Sequence, residues 1–96
     1  MIIAIPVFGT RVSPCFEYAP DILLAKIEGE TIVDIHKNSF PAGDVIRRIN
    51  YIKKMAVDTV VCGGITNFSK HVLSGSRISV IPWITGEAYE TLKLFL

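Results

Sequence analysis

The chain has 96 residues, of which 50% are hydrophobic and 20% are charged, and its formal net charge is +1. This length suits one hydrophobic core, so we expect residues 1–96 to form a single domain. The basic residues are scattered, which argues against a nucleic-acid-binding face. The apolar residues 1–9 have no positive flank and are interrupted by Pro6, so we expect no membrane span and no secretory signal, and a cytoplasmic location.

The first half of the chain has the pattern of a β-sheet. The apolar, β-branched run of residues 1–7 predicts a central strand that is buried on both faces. A turn-rich segment, residues 8–20, follows it. Residues 22–37 then predict two strands joined by a tight turn at Gly29, because glycine readily adopts the positive φ that such a turn needs.

The second half alternates between helices and strands. A helix after Asp44 has one apolar face, formed by Val45, Ile49, Ile52 and Met55. Its basic residues are expected mostly to point away from the core: Arg47, Arg48, Lys53 and Lys54. Residues 57–64 predict a buried strand, and Thr66 is placed to cap a short helix that Gly75 ends. Residues 78–83 predict another strand, and a last helix with Ala88 and Leu92 facing inward completes the chain.

The predicted element order is βββαβαβα. It indicates a three-layer α/β fold of the ribonuclease H-like kind, with a five-stranded mixed sheet, helices on both faces and parallel later strands. Ligands of open α/β sheets bind beyond the carboxyl ends of the strands. Three loops follow such ends: one with Arg11, Ser13 and Cys15, one that runs from Cys62 to Thr66, and one that runs from Pro82 to Gly86.

The two cysteines both fall at this predicted edge of the sheet. Cys15 is either a soft thiolate ligand for a metal, with Arg11 nearby to offset negative charge, or an ordinary loop thiol. Cys62 follows apolar residues at a strand end, which favours packing over ligation. A reducing cytoplasm disfavours a disulfide between them, although the sequence leaves that alternative open.

The glycine pair Gly63-Gly64 stands before the helix that begins near Thr66. Such a turn can aim free backbone N–H groups at an anion such as a phosphate, a carboxylate or the sulfide of a metal cluster. The alternative is that the glycines only serve the turn. Trp83, in the third loop, either covers a ligand or completes the core.

No catalytic motif is present in the sequence. A nuclease with this fold needs clustered carboxylates for two metal ions, and the first predicted strand has none. A nucleophile elbow, a phosphate-binding loop and a Cys-x-x-Cys pair are also missing. An enzyme acting on a small anion would need a general base, for which only His71 is near, while His36 is expected on the solvent side of a strand. Binding is therefore favoured over catalysis.

Three stretches of the chain, in order, resemble the dinitrogenase iron-molybdenum cofactor biosynthesis family: "IAIPVFGTRVSPCFEYAPDILLAKIEG", "VDTVVCGGI" and "ISVIPWITGEAYETLKLF". The family includes NifX-like carriers and the carboxyl-terminal domain of NifB-type proteins, and the resemblance covers nearly the whole chain. It implies a non-catalytic domain that binds or carries a metal-sulfur cluster, of the iron-molybdenum or iron-sulfur type. The matching site positions are the loop from Arg11 to Phe16 and the Gly63-Gly64 turn.

Two positions depart from the family pattern, which commonly has histidine where this chain has Cys15 and glycine where it has Glu17. Cysteine is also a competent soft ligand, so we expect Cys15 to be the metal ligand. The expected cofactor-binding residues are Arg11, Ser13, Cys15, Cys62, Gly63, Gly64 and Thr66. The expected partners are the cluster and proteins that donate or accept it, with neither nucleic acid nor membrane. The alternative is a small interaction or regulatory module without bound metal.

Overall fold

A computed structural model describes residues 1–40 and 44–96 of the chain. The strands in these residues are β1 (Ile2–Phe8), β2 (Arg11–Val12), β3 (Asp21–Glu28), β4 (Thr31–Ser39), β5 (Thr59–Val61) and β6 (Ser79–Ile81). The helices are α1 (Val45–Lys54), α2 (Asn67–Gly75) and α3 (Ala88–Lys93), and a 3₁₀ turn (Phe16–Tyr18) precedes β3. The prediction of five strands missed β2, because a strand of two residues has no periodicity to detect.

The strands form one mixed sheet. Their order is β4-β3-β1-β5-β6, and β2 pairs with β1 outside this path. β3 pairs antiparallel with β1 and β4, whereas β5 pairs parallel with β1 and β6. The predicted mixed α/β sheet with parallel later strands is therefore confirmed. Because β1, β5 and β6 are parallel, their carboxyl ends share one edge, which we call the carboxyl edge.

Helices cover both faces of the sheet, as predicted. Ile49 of α1 and Leu73 of α2 share a core with Ala4 of β1. Leu92 of α3 packs in a second core with Ile5, the next residue of β1. Side chains of a strand alternate between the two faces, so β1 is a central strand buried on both sides. None of the helices in the described parts of the chain is long and apolar enough to cross a membrane.

Local signals in the sequence set several turns. Gly29 has φ +62°, as its predicted turn requires. The Thr66 hydroxyl accepts the Ser69 backbone N–H at 3.2 Å, which confirms the predicted cap of α2. Gly75, however, is the last residue of α2, and the left-handed conformation after the helix belongs to Arg77, with φ +64°.

Arg48 contradicts the predicted outward orientation of the basic residues of α1. Its side chain is fully buried, with 0% exposure, and its guanidinium carbon lies 5.2 Å from the centre of the Phe40 ring. Arg48 precedes Ile49 and stands four residues before Ile52, so it borders the apolar face of α1. A long side chain at such a border can turn toward the core, and this one reaches the carboxyl edge.

Candidate functional site

The first and second predicted loops meet at the carboxyl edge. The Gly64 N–H donates to the Pro14 carbonyl at 2.7 Å, and the Phe16 N–H donates to the Gly64 carbonyl at 2.8 Å. Cys15 and Gly64 thereby form an isolated parallel bridge. The predicted proximity of the two loops follows from the parallel pairing of β1 with β5.

The glycine pair is explained by this close contact. A Cβ at Gly63 would lie 2.4 Å from the Ser13 carbonyl oxygen, and one at Gly64 would lie 3.0 Å from the Pro14 carbonyl oxygen. Only residues without a Cβ permit such an approach. Because the Gly64 N–H is engaged by Pro14, it is used within the protein, contrary to the outward-facing role predicted for it.

The third loop closes one side of a cleft at this edge. The Trp83 N–H donates to the Gly63 carbonyl at 3.0 Å, and Trp83 has φ +66°. Its side chain is 75% exposed, so it does not complete the core. The cleft has a volume of about 320 Å³, and residues of all three loops line it, among them Arg11, Pro14, Gly63, Gly64, Trp83 and Gly86.

The Cys15 thiol contacts a second feature of the edge, a polar group around the carboxylate of Glu17. We call it the Glu17 cluster, and its members are Cys15, Glu17, Arg48, Thr66 and Ser69. Glu17 is only 5% exposed. The backbone N–H and the hydroxyl of Thr66 donate to Glu17 Oε2 at 3.2 and 3.0 Å, and the Cys15 thiol donates to Oε1 at 3.4 Å.

Glu17 keeps its negative charge inside the protein. Burial acts to raise its pKa, but hydrogen bonds from the Ser69 hydroxyl, the Thr66 backbone and hydroxyl, and the Cys15 thiol outweigh this effect. The pKa of Glu17 is therefore lowered from its ordinary value of 4.5. At neutral pH the cluster contains a charged carboxylate beside a thiol.

Arg48 supplies a buried positive charge that interacts electrostatically with this carboxylate. Burial lowers the pKa of Arg48 below its ordinary value, while the charges of Glu17 and Cys15 act to raise it. An arginine remains charged in proteins even so. Arg11, to which the sequence assigned the charge-balancing role, is exposed and pairs instead with Glu87 at 3.4 Å between Nη1 and Oε1. Sequence reasoning missed both Glu17 and Arg48 at this site.

Cys62 lies in a different environment from Cys15. Its side chain is fully buried among the apolar residues beneath α1 and α2. Burial, with a contribution from the charge of Glu17, raises the pKa of its thiol to about 12. This placement favours the packing alternative for Cys62 over a role in cofactor binding. Both thiols are free, so the disulfide that the sequence left open is not formed.

The remaining sequence candidates lie outside the Glu17 cluster. His36 is exposed on β4, with its Nδ1 3.7 Å from Asp34 Oδ2, and His71 is exposed on α2. In residues 1–40 and 44–96, no three His, Cys, Asp or Glu side chains form a group that could hold a metal ion. Any metal held at Cys15 would therefore need ligands beyond the histidine, cysteine and carboxylate side chains described.

Comparison with solved structures identifies proteins of the same fold. The crystal structure of PH0822 superposes with a TM-score of 0.92 at 24% identity, over 99% of this chain and 88% of that one. A protein of Methanocaldococcus jannaschii with the provisional name dinitrogenase gives 0.83 at 18%, over 99% and 86%. A Thermotoga protein, provisionally named NifB and placed in the DUF35 family, gives 0.74 at 17%, over 98% and 85%.

This chain has their fold. No protein-family sequence pattern and no curated protein matches the chain. At identities below 25%, the structural likeness establishes the shared architecture alone. The nitrogenase-related names of two neighbours agree with the family resemblance found in the sequence, which is thus confirmed at the level of the fold.

The two thiols should differ sharply in reactivity. Only thiolates react rapidly with disulfide reagents, and Cys62 is both buried and held in the thiol form near neutral pH. We expect one thiol per native chain to react with Ellman's reagent at pH 7.5, and two after unfolding in guanidinium. The variant Cys15→Ala should show no rapidly reacting thiol in the native state. Rapid reaction of two thiols in the native wild type would contradict the buried position of Cys62.

Glu17 should make the stability of the fold depend on pH. Because its pKa is lower in the folded than in the unfolded chain, its contribution is complete above the unfolded value of about 4.5 and is lost as pH falls through the folded value. We expect the free energy of unfolding, measured with urea, to decrease more steeply below pH 4.5 in the wild type than in Glu17→Gln. Equal slopes for the two proteins would contradict this prediction.

Proposed function

We propose that this protein is a non-catalytic carrier or scaffold for a metal-sulfur cluster, of the iron-sulfur or iron-molybdenum type, with Cys15 as the protein ligand. The observation that carries the proposal is the position of the Cys15 thiol. It is partly exposed at the carboxyl edge and lies 3.4 Å from the buried Glu17 carboxylate, in the same cluster as the buried Arg48. A soft thiolate is the ligand type that metal-sulfur clusters prefer.

The electrostatic surroundings of Cys15 suit an anionic cargo. Arg48 contributes a full positive charge, and the amino-terminal end of α2 contributes the positive end of a helix dipole. The negative charge of Glu17 offsets part of this positive charge. The sulfides of a metal-sulfur cluster are therefore attracted to the site, but no closed cage of ligands holds them. A carrier must release its cargo, and one protein ligand at an open edge allows this better than four ligands in a closed site.

The other residues of the edge hold the Cys15 loop in place. The Ser13 hydroxyl donates to the Cys15 carbonyl at 3.2 Å and accepts the Cys15 N–H at 3.4 Å. Gly63 and Gly64 permit the close approach of the loop, and Thr66 fixes the Glu17 carboxylate. Arg11 lines the neighbouring cleft, where its charge is shared with Glu87.

The nitrogenase-related names among the fold neighbours support this role, as does the family resemblance in the sequence. We propose a NifX-like function in a ribonuclease H-like domain, with proteins that donate or accept the cluster as partners. The sheet order supports this architecture, since without β2 the strands follow the order 3-2-1-4-5. A cytoplasmic location would keep Cys15 reduced and able to bind metal.

Cluster uptake under anaerobic conditions tests the proposal. We expect the wild type, supplied with ferrous iron, sulfide and a thiol reductant, to acquire iron and acid-labile sulfide with visible absorption. Cys15→Ala should retain less than a tenth of this iron. Cys62→Ala is the matched control, because it removes the other thiol and should load as the wild type does. A wild type that stays colourless, or a Cys15→Ala that loads normally, would overturn the proposal.

A second candidate is an interaction or regulatory module without metal. Three exposed aromatic residues favour it, one from each region of the carboxyl edge: Tyr18 in the 3₁₀ turn, Phe68 in the first turn of α2, and Trp83. Exposed aromatic side chains are enriched at protein interfaces. Under this function, Cys15→Ala should bind its partner as tightly as the wild type, and Trp83→Ala should not.

A further inference from the structure

The contact between Cys15 and Glu17 joins two metal-binding side chains at one point. Cys15 Sγ and Glu17 Oε1 are 3.4 Å apart. A tetrahedral zinc ion with a Zn–S bond of about 2.3 Å and a Zn–O bond of about 2.1 Å holds its sulfur and oxygen about 3.6 Å apart. The two side chains therefore already stand at the separation of two ligands of one metal ion, to within about 0.2 Å.

We propose that Cys15 and Glu17 form a two-ligand thiolate–carboxylate site for one divalent transition-metal ion, such as Zn²⁺ or Fe²⁺. The inference rests on the proposed ligand role of Cys15 and adds Glu17 as the second ligand. It assigns a function to the carboxylate that replaces the glycine of the family pattern. An external group would complete the coordination of the metal, and the partial exposure of Cys15 gives such a group access.

Metal binding replaces the thiol proton. The Cys15 S–H bond breaks, its proton passes to solvent, and the sulfur donates its electron pair to the metal while Glu17 Oε1 donates a second pair. Glu17 Oε2 remains bonded to the Thr66 N–H and hydroxyl, which fix the carboxylate plane. Hydrogen bonds of this kind orient ligating carboxylates in metal sites and strengthen binding.

The charges of the Glu17 cluster indicate what completes the site. Thiolate and carboxylate together neutralise a divalent ion, and the buried Arg48 adds a positive charge that interacts with both Cys15 and Glu17. A positive charge nearby favours an anionic ligand. The external ligand should therefore be an anion, such as a sulfide, a hydroxide or the carboxylate of a partner protein. A single metal ion that binds sulfide here would be a starting point for a larger cluster.

Cobalt(II) is the probe for this site, because thiolate ligation gives it a charge-transfer band in the near ultraviolet. We expect anaerobic titration of the wild type to give this band at one Co²⁺ per chain, and Cys15→Ser to lack it. Glu17→Gln keeps the side-chain size and an oxygen acceptor for Thr66, and should bind Co²⁺ at least about tenfold more weakly. Glu30→Gln, in the exposed β3–β4 turn, is the control for loss of one carboxylate and should bind as the wild type does.

Circular dichroism establishes that each variant is folded. If Glu17→Gln does not fold, Glu17→Asp carries the test, because it retains the charge but is one methylene too short to reach the same point, and it too should bind at least about tenfold more weakly. An unchanged dissociation constant in the folded Glu17 variant would overturn the two-ligand site. A wild type that takes up an iron-sulfur cluster but not Co²⁺ would overturn this inference alone, whereas failure to bind either would overturn the proposed function as well.

Discussion

Replacing Gly63 by alanine should cost more stability than the same replacement at any other glycine within residues 1–40 and 44–96. The added Cβ would lie 2.4 Å from the Ser13 carbonyl oxygen and 3.0 Å from that of Pro14, and both are backbone atoms. Neither can rotate away, so the Cys15 loop must move as a unit. Overpacking of this kind costs about 3 kcal/mol. We expect Gly63→Ala to lower the free energy of unfolding in urea by about that amount.

Gly75→Ala is the matched control for this substitution. Gly75 is the last residue of α2, and a Cβ there would meet no heavy atom within 4 Å. Alanine is a better helix former than glycine, so this variant should be up to about 1 kcal/mol more stable than the wild type. If Gly63→Ala were as stable as the wild type, the close packing of the Cys15 loop on the Gly63-Gly64 turn would be wrong.

Gly63→Ala also tests, in a functional assay, whether the position of the Cys15 loop matters for cluster uptake. Displacing Ser13 and Pro14 shifts Cys15, whose bridge to Gly64 depends on this contact. Under the proposed function, a folded Gly63→Ala should take up less cluster than the wild type although every proposed ligand is present. Normal uptake in this variant would show that the position of the loop does not matter for binding.

The architecture was predictable because its signals are local or follow from topology. The apolar run of β1 and the helical periodicity of α1 each identify one element, and Thr66, a capping residue, indicates where α2 begins. The parallel arrangement of β1 and β5 then places Cys15 near Gly64 without further information. Very short elements were not predicted. An example is β2, whose two residues lie within a segment that the sequence indicates is a turn.

The chemistry around Cys15 was less predictable because it depends on long-range contacts. Glu17 accepts a hydrogen bond from Thr66, which is 49 residues away in the sequence. No local pattern indicates that a glutamate at this position is buried. The one signal in the sequence is the departure from the glycine of the family pattern at this position, and that signal does not identify a partner for the charge. Helical periodicity leaves a border position such as Arg48 to be assigned by residue type, and it predicts a solvent-facing side chain because arginine is usually exposed.

Removing the charge of Arg48 should be the most damaging change within the Glu17 cluster. Methionine at this position keeps much of the side-chain length but leaves the buried Glu17 carboxylate without its nearby cation. Leaving a buried charge without a compensating charge nearby costs about 3 kcal/mol. We expect Arg48→Met to lose about this much stability in urea unfolding. Arg47→Met, at the neighbouring exposed position, should change it by less than about 0.5 kcal/mol.

A double-mutant cycle tests whether this cost comes from the charge of Glu17. If it does, Glu17→Gln should restore part of the stability lost in Arg48→Met, because the neutral amide no longer needs a buried cation. The coupling energy of the cycle should then be at least about 1 kcal/mol, as for residues of one buried network. Additive losses would mean that Arg48 acts through packing, including its contact with the Phe40 ring, and that the cluster's charges are independent. In that case Arg48 would no longer account for charge balance at Cys15, and the preference for an anionic cargo would rest on the end of α2 alone.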